Sequence, residues 1–181
     1  VGQLLEEAYN FTTGLEEAME KVSLGMKVLI REGSAAKDSS ALYDMLEYHG
    51  DMCMFCSDDK HPDDLVRGHM NVLVRDALSM GHDPVKVLRC ASLNPVRHYG
   101  LNVGLLQEGD PADFLLVEGL EGFRVLETYC GGRLAARRGS PLVNHVHPEI
   151  TNIFETGPMH AGDFAIRQRT GTITCMGATD G

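Results

Sequence analysis

Residues 51–64 read DMCMFCSDDKHPDD, a short apolar run that ends in acidic residues. An apolar run of this length is typical of a buried strand in a parallel sheet. Residues 26–33, MKVLIREG, repeat the pattern earlier in the chain. Between the two runs, residues 37–50 predict an amphipathic helix with Asp38 or Ser39 as its cap. Strand, helix and strand at this spacing predict βα units and a parallel sheet.

A long helical pattern follows the second strand. PDDLVRGHMNVLVRDALSMG at 62–81 predicts one helix, because its apolar residues recur every three or four positions and Pro62 suits a first turn. Asp83 and Pro84 then have the sequence of a helix start, with the aspartate as the cap.

The pattern changes after Gly100. Short β-type stretches and glycine turns dominate there, and residues 123–139 predict a hairpin with a Gly-Gly turn. We therefore expect an α/β portion over residues 1–100 and, over residues 101–181, a β-rich portion followed by the start of a further C-terminal region near Phe164.

The whole chain has the composition of a globular protein with an acidic surface. Of its 181 residues, 43% are hydrophobic and 23% are charged, and 26 acidic against 16 basic residues give a net charge of -10. That charge disfavours nucleic acid as a partner. The apolar runs are shorter than a membrane span, and residues 1–10 lack the features of a signal peptide, so we expect no membrane partner.

Five cysteines are scattered through the chain, at Cys53, Cys56, Cys90, Cys130 and Cys175. An odd number of separated cysteines favours free thiols in a reducing compartment, and we expect a cytoplasmic protein. Cys53 and Cys56 have Cys-x-x-Cys spacing, but residues three apart on a strand point to opposite faces. We therefore expect two buried thiols rather than a metal-binding or disulfide pair.

The acidic residues behind the second strand are candidates for chemistry. Asp58 and Asp59 follow it directly, at a parallel strand end, where functional groups collect in α/β proteins. A carboxylate there can bind a divalent metal and move a proton, with His61 close behind. The alternative is that these acidic residues only cap the next helix, a task for which Asp63 and Asp64 suffice. The pattern alone leaves both interpretations open.

Four segments in this order resemble the C-terminal half of the adenine deaminase family, whose members are metal-dependent amidohydrolases. They are GMKVLIREGSAAKD, FCSDDKHPDDLVRGHMN, DPVKVLRCASLNPVRHYGL and GDPADFLLV, all within residues 12–134. The resemblance implies an incomplete (β/α)8 barrel, of which this chain holds the last βα units, followed by part of a small β-rich domain. It also implies hydrolytic deamination of adenine to hypoxanthine and ammonia by a hydroxide activated on a divalent metal. Iron(II) or manganese is the expected metal, with zinc as the alternative.

The same resemblance assigns roles to individual residues. Asp58 matches the aspartate at the end of the family's last barrel strand, which binds the metal and moves the proton. Other candidates lie in the REGS segment, which the family places at an earlier strand end, or directly behind the metal aspartate. These candidates for contacts with the substrate or with the metal ligand are Arg31, Glu32, Ser34, Asp59 and His61.

The resemblance also predicts which site residues this chain lacks. The family needs a His-x-His on its first strand, an acidic ligand and further histidines, and we expect these upstream of Val1. Tyr9 and Asn10 stand where the family has a histidine and an acid. His145 and His147 have His-x-His spacing, but they follow the barrel portion, and we interpret them as polar residues of the β-rich part. We expect a fragment that is inactive alone and that buries its unpaired strand edges by self-association or by rearrangement.

Two other functions remain open from the sequence. Because a fold does not determine a substrate, the chain could belong to another amidohydrolase, such as a cyclic amide hydrolase or a deacetylase. It could also be a non-catalytic binding or assembly module on the same scaffold, an alternative that the residues at positions 9 and 10 favour. The expected partners of a catalytic protein are a purine base and further copies of the chain.

Overall fold

The structure, a computed structural model, covers most of the chain. The described residues are 12, 14–144, 146, 152–165, 171 and 177. Tyr9, Asn10, His145 and His147 lie outside them, and the expectations about these four residues stay predictions.

The chain divides into two compact units. The first ends at Val143 and the second begins at Asn144. The predicted change from an α/β to a β-rich pattern falls inside the first unit. In its described residues, the second unit has a short 3-10 turn at Ala161–Phe164, next to a hydrogen bond from the His160 N–H to the Asp163 carboxylate (2.7 Å).

The first unit begins with alternating helices and strands and ends in strands. Its helices are α1 (Leu15–Ser23), α2 (Ser39–Leu42), α3 (Met45–His49), α4 (Pro62–Leu65), α5 (Met70–Ser79), α6 (Pro84–Leu88) and α7 (Asn94–Tyr99). Its strands are β1 (Val28–Arg31), β2 (Cys53–Cys56), β3 (Phe114–Val117), β4 (Val125–Cys130), β5 (Arg133–Arg137) and β6 (Ser140–Pro141). A 3-10 turn at Gly50–Met52 precedes β2, and a π-helical turn at Arg89–Leu93 joins α6 to α7.

β1 and β2 pair in parallel, as the sequence predicts, and both of their faces are covered. Alternate residues of a strand point to opposite faces. Cys53 therefore packs into the main core with the helices, whereas Met54 and Cys56 pack with Leu29 on the other face. The expected separation of Cys53 and Cys56 is confirmed, and both are free thiols. Cys56 is only half-buried, however, so the expectation of two buried thiols is correct for Cys53 alone.

The main core lies between this strand pair and the surrounding helices. Each large aliphatic side chain buried there contributes about 1.5–3 kcal/mol relative to an exposed position. The largest of these fully buried side chains are Ile30, Leu42, Met45, Leu46, Leu73, Val28 and Val87.

The prediction of one long helix over residues 62–81 is wrong, because the structure has two helices there. α4 and α5 are separated by a turn at Gly68, whose φ is +147°. That conformation suits glycine, and a side chain at this position would also meet the side chain of Val72. After the turn, the N–H of His69 donates to the side-chain oxygen of Asn71 (2.9 Å). The helix predicted over residues 37–50 is likewise divided, into α2 and α3.

The segment that leads into β2 is anchored by a buried asparagine. Asn94, 7% exposed, donates from its side-chain amide to the carbonyl oxygens of Gly50 and Cys53, both at 2.7 Å. The thiol of Cys90 also donates to the Gly50 carbonyl (3.1 Å). Cys90 and Asn94 both lie on the helical stretch that begins at Asp83. As predicted, the Asp83 carboxylate caps this stretch by accepting a backbone N–H of its first turn.

The strands from β3 to β6 form an antiparallel sheet in chain order. β4 and β5 make the predicted hairpin, and Gly131 and Gly132 occupy its turn with positive φ. Just before β3, the Asp113 carboxylate accepts the N–H of Gly104 (2.9 Å) and of Gly131 (2.6 Å), and these hydrogen bonds lower its pKa. Phe123, which is buried, packs into the main core. Among the described residues, no helix is long and apolar enough to cross a membrane.

Candidate active site

The carboxyl ends of β1 and β2 lie side by side, because the two strands are parallel. Asp58 follows two residues after β2 and has a φ of +46°. This left-handed conformation strains residues other than glycine by about 1 kcal/mol or more. The N–H of Asp58 donates to the sulfur of Cys56 (3.3 Å). The chain therefore turns sharply at the strand end, directly at the candidate carboxylate.

Arg31, the last residue of β1, lies buried between two carboxylates. Its Nη1 donates to Oδ2 of Asp58 (3.0 Å), and its Nε and Nη2 both donate to Oδ2 of Asp38, the former at 3.1 Å. Burial acts to lower the pKa of the guanidinium. The hydrogen bond to Asp38 and the charges of Asp38 and Asp58 outweigh that effect, so the pKa is raised. Arg31 is therefore a permanent cation that compensates two acids.

Glu32 connects the two strand ends through its backbone. Its N–H donates to the carbonyl oxygen of Cys56 (3.0 Å), and its carboxylate accepts the hydroxyl of Ser39 at the start of α2. The side chain of Glu32 is therefore already engaged within the loop that follows β1.

Ser34 links the loop after β1 to the loop after β2. Its N–H donates to Oδ1 of Asp59 (3.2 Å), and its hydroxyl donates to Oδ2 of Asp64 (2.6 Å). The same hydroxyl oxygen accepts the N–H of His61 (2.9 Å). The hydrogen bond from Ser34 lowers the pKa of Asp64. Desolvation acts to raise this pKa, but the positive charges of Lys37, Arg67 and Lys60 lower it further. Two hydrogen bonds at Ser34 thus join the two loops, and a third joins Ser34 to the first turn of α4.

Two histidines lie near this strand end. The imidazole of His61 is exposed and makes no hydrogen bond within the described part of the chain. Nε2 of His69 lies 2.9 Å from Oγ of Ser57, the residue that follows β2. The sequence predicted His69 inside a helix, and the turn at Gly68 explains its different position.

Two carboxylates that the sequence assigned to helix ends also belong to this arrangement. Asp38 occupies the cap position of α2, but its side chain makes no capping hydrogen bond and pairs with Arg31. Asp64 lies in the first turn of α4, as predicted, and also accepts the Ser34 hydroxyl. A signal for Asp38 was present, since a charged Arg31 within a buried strand requires a nearby acid. No comparable signal marks Asp64.

The geometry of Asp58 fits one ligand of the divalent metal that the resemblance implies. Its Oδ2 is paired with Arg31, whereas its Oδ1 makes no hydrogen bond with any residue that the structure describes. Iron(II), manganese and zinc all accept carboxylate oxygens as ligands. Among the described residues, no group of three or more His, Cys, Asp and Glu side chains could hold a metal ion. Asp58 could therefore hold a metal only together with donors from elsewhere.

Comparison with protein families assigns this chain, with its parallel strand pair, to a known family. The amidohydrolase family matches residues 9–135. That match covers more than half of the 181 residues, and the chain belongs to the amidohydrolase family. A solved structure of the beta-aspartyl dipeptidase from Fervidobacterium islandicum is similar, with a TM-score of 0.59 and 22% identity over 73% of this chain and 37% of that chain. At that identity, the likeness shows the fold alone.

The curated relatives narrow the similarity. The adenine deaminase of Salinibacter ruber is 49% identical over 152 residues, and that of a Sulfurovum species is 50% identical over 153 residues. Each match covers 84% of this chain but 28% and 29% of the respective relative. The resemblance to adenine deaminases is therefore confirmed as a similarity of sequence, and the chain spans less than a third of the length of these relatives.

Proposed function

We propose that this chain is part of a longer adenine deaminase, which hydrolyses adenine to hypoxanthine and ammonia. The observation that carries the proposal is the placement of Asp58. It follows a buried parallel strand, and Arg31 holds one carboxylate oxygen while the other has no partner within the described residues. The 49% and 50% identity to proteins named adenine deaminase supports adenine as the substrate. Their greater length supports a longer protein.

In this proposal, Asp58 acts through the oxygen that Arg31 leaves open. It is one ligand of a divalent metal, and it accepts a proton from the attacking water and returns it to the departing amino group. The metal is iron(II) or manganese, with zinc as the alternative, and it supplies the Lewis acidity that makes water a nucleophile near neutral pH. The remaining ligands come from parts of the longer protein outside these 181 residues.

The other candidate residues divide into those that hold the loops and one that is open to substrate. Glu32, Ser34 and Asp59 have side chains or backbone groups engaged between the strand ends. We assign them the task of keeping the two loops in place. His61 has an exposed imidazole, and we assign it a contact with the purine base.

The architecture of the longer protein is part of the same proposal. β1 and β2 are the last strands of a (β/α)8 barrel, and the sheet from β3 to β6 belongs to a small β-rich domain. The parallel pairing and the likeness in fold to the solved beta-aspartyl dipeptidase support this arrangement. The proposed compartment is the cytoplasm, which the free thiols support. In the described residues these are Cys53, Cys56, Cys90 and Cys130.

The open edges of the strand pair lead to a prediction about assembly. Within the described residues, β1 and β2 pair with each other alone, so each strand has one edge without a neighbour. Unpaired edges favour association with another chain. We therefore expect the 181-residue chain to form homo-oligomers, which size-exclusion chromatography with light scattering would show. A stable monomer at micromolar concentration would contradict this.

Replacement of Asp58 tests the proposed function. In the longer protein, we expect Asp58→Asn to lower kcat for adenine by about 10²–10⁴-fold, because the variant loses both the charge and the proton acceptor. Ammonia release is the measurement. Asp63→Asn is the matched control, since Asp63 lies five residues further along, in the first turn of α4, and makes no hydrogen bond among the described residues. We expect that control to retain activity.

The same assay tests which substrate the longer protein prefers and whether the 181-residue chain is active alone. The longer protein is compared on adenine, dihydroorotate, hydantoin, N-acetyl sugars and a β-aspartyl dipeptide, and we expect turnover of adenine. The purified 181-residue chain is expected to be inactive, since one carboxylate is not a metal site. Preference for another substrate, or an active 181-residue chain, would refute the proposal.

A further inference from the structure

We propose that Asp38 is a positioning residue of this site. Through the buried guanidinium of Arg31, it fixes the carboxylate of Asp58, so that Oδ2 is held and Oδ1 is left as the reactive oxygen. This inference rests on the proposed function, because it assigns the reaction to Asp58.

The three side chains form a chain of contacts that runs from the interior to the surface. The side chain of Arg31 is 8% exposed, that of Asp38 is 13% exposed and that of Asp58 is 33% exposed. Arg31 gives two donors to one oxygen of Asp38 and one donor to Asp58. Asp38 thus holds the Nε and Nη2 side of the guanidinium, and Nη1 donates to the strand-end carboxylate.

The behaviour of Asp38 at its helix end supports a role beyond local stability. Both Asp38 and Asp83 occupy the cap position of a helix. Asp83 accepts a backbone N–H there, as a capping aspartate does, whereas Asp38 makes no such hydrogen bond. A capping hydrogen bond stabilises the first turn of a helix. α2 lacks that hydrogen bond, because the Asp38 carboxylate pairs with Arg31 instead.

The backbone and the ion pair constrain Asp58 in complementary ways. The left-handed φ of Asp58 sets the direction in which its side chain leaves the chain. The hydrogen bond from Arg31 then sets the rotation of the carboxylate, because it selects Oδ2. Without Asp38, the guanidinium would lose two of its hydrogen bonds, and the carboxylate of Asp58 would rotate more freely.

The test uses the longer protein with two substitutions at one position. Loss of a group that orients a metal ligand lowers metal affinity or activity by about 10–100-fold, and we expect this of Asp38→Ala in both kcat for adenine and the Kd for Mn²⁺. KM for adenine should stay nearly unchanged, because Asp38 does not touch the substrate. Asp38→Asn should restore most of the loss, since a single side-chain oxygen accepts both donors of Arg31.

Asp83→Ala is the control for a general effect of helix stability. It removes a capping hydrogen bond from a helix away from the carboxyl ends of β1 and β2, and we expect it to lower the unfolding temperature without changing the Kd for Mn²⁺ or kcat. Mn²⁺ affinity is measured by calorimetry on metal-depleted protein, with no substrate present.

Three outcomes would overturn the inference. The first is an Asp38→Ala protein with kcat and Mn²⁺ affinity within about twofold of the wild type, against the larger loss expected for an orienting group. The second is a loss that Asp83→Ala reproduces, and the third is a loss that Asp38→Asn does not relieve. A wild-type protein that binds Mn²⁺ but does not deaminate adenine would refute the proposed function instead, and the Mn²⁺ titrations would still decide the role of Asp38.

Discussion

The two ends of the β1–β2 pair are built from different chemistry. At the amino end, the neutral amide of Asn94 satisfies the carbonyls of Gly50 and Cys53 inside the core. At the carboxyl end, Arg31 lies among charged groups, and Asp58 has a strained backbone. In barrel enzymes built from parallel strands, the carboxyl end carries the chemistry, and the amino end serves stability. Within this strand pair, the buried cation and the left-handed aspartate both lie at the carboxyl end, the end to which we assign the reaction.

The largest expected effect on stability is at the amino end. Asn94→Ala should lower the free energy of unfolding by about 2–4 kcal/mol, because two buried carbonyl groups lose their donor. Urea unfolding of the 181-residue chain measures this. Ser92→Ala is the control on the same helical stretch, since its exposed hydroxyl bonds the carbonyl of Leu88. If both variants lost the same free energy of unfolding, the buried amide of Asn94 would stabilise the chain no more than a surface hydrogen bond, which would contradict the prediction.

A smaller effect is expected for the cross-loop contact at the carboxyl end. Ser34→Ala should lower the free energy of unfolding by about 1 kcal/mol, since the hydroxyl donates to Asp64 and accepts the N–H of His61 in a partly exposed position. Hydrogen exchange at the His61 amide should accelerate in the variant. Ser23→Ala removes an exposed hydroxyl contact elsewhere and should leave that amide unaffected. An unchanged His61 amide would mean that the loops are held by other contacts.

The smallest effect is a pH dependence at the same end. The pKa of Asp64 is lowered in the folded chain, so its ionised form contributes stability that is fully present above the ordinary aspartate pKa of about 3.9. That contribution is lost as the pH falls through the lowered pKa. The difference in unfolding temperature between wild type and Asp64→Asn should therefore narrow below about pH 4. A difference that is constant from pH 7 to 3, or that Asp63→Asn reproduces, would contradict the assignment.

The sequence predicts features that depend on neighbouring residues. β1, β2, the hairpin of β4 and β5 and the cap at Asp83 follow from local apolar patterns, glycine turns and capping preferences, and all are confirmed. The contacts of the candidate site join residues far apart in the chain. Arg31 and Asp58 are separated by 27 positions, and Ser34 and Asp64 by 30. Composition and periodicity carry no information about such pairs, and the resemblance placed the residues without giving their partners.

The turn at Gly68 shows where periodicity fails within a local pattern. Apolar spacing continues on both sides of this residue, so the pattern predicts one helix through it. The structure shows a positive φ there, and the interruption leaves His69 beside Ser57. A single residue with a different backbone preference therefore changed the position of a side chain that the pattern had assigned to a helix.

The carboxylate of Asp113 connects two loops of the β-rich part. One carboxylate oxygen receives the N–H of Gly104, and the other receives the N–H of Gly131. The segment at 101–113 contains no helix or strand, so it depends on such contacts for its order. The carboxylate therefore joins the long loop to the hairpin turn, beside a second hydrogen bond between them from the Gly132 N–H to the Ala112 carbonyl (2.9 Å). Loss of its charge would weaken one contact in each segment at once, while the hydrogen bonds that Asp110 accepts from Leu105 and Gln107 would remain. The movements of the long loop and of the hairpin turn are therefore linked through one side chain.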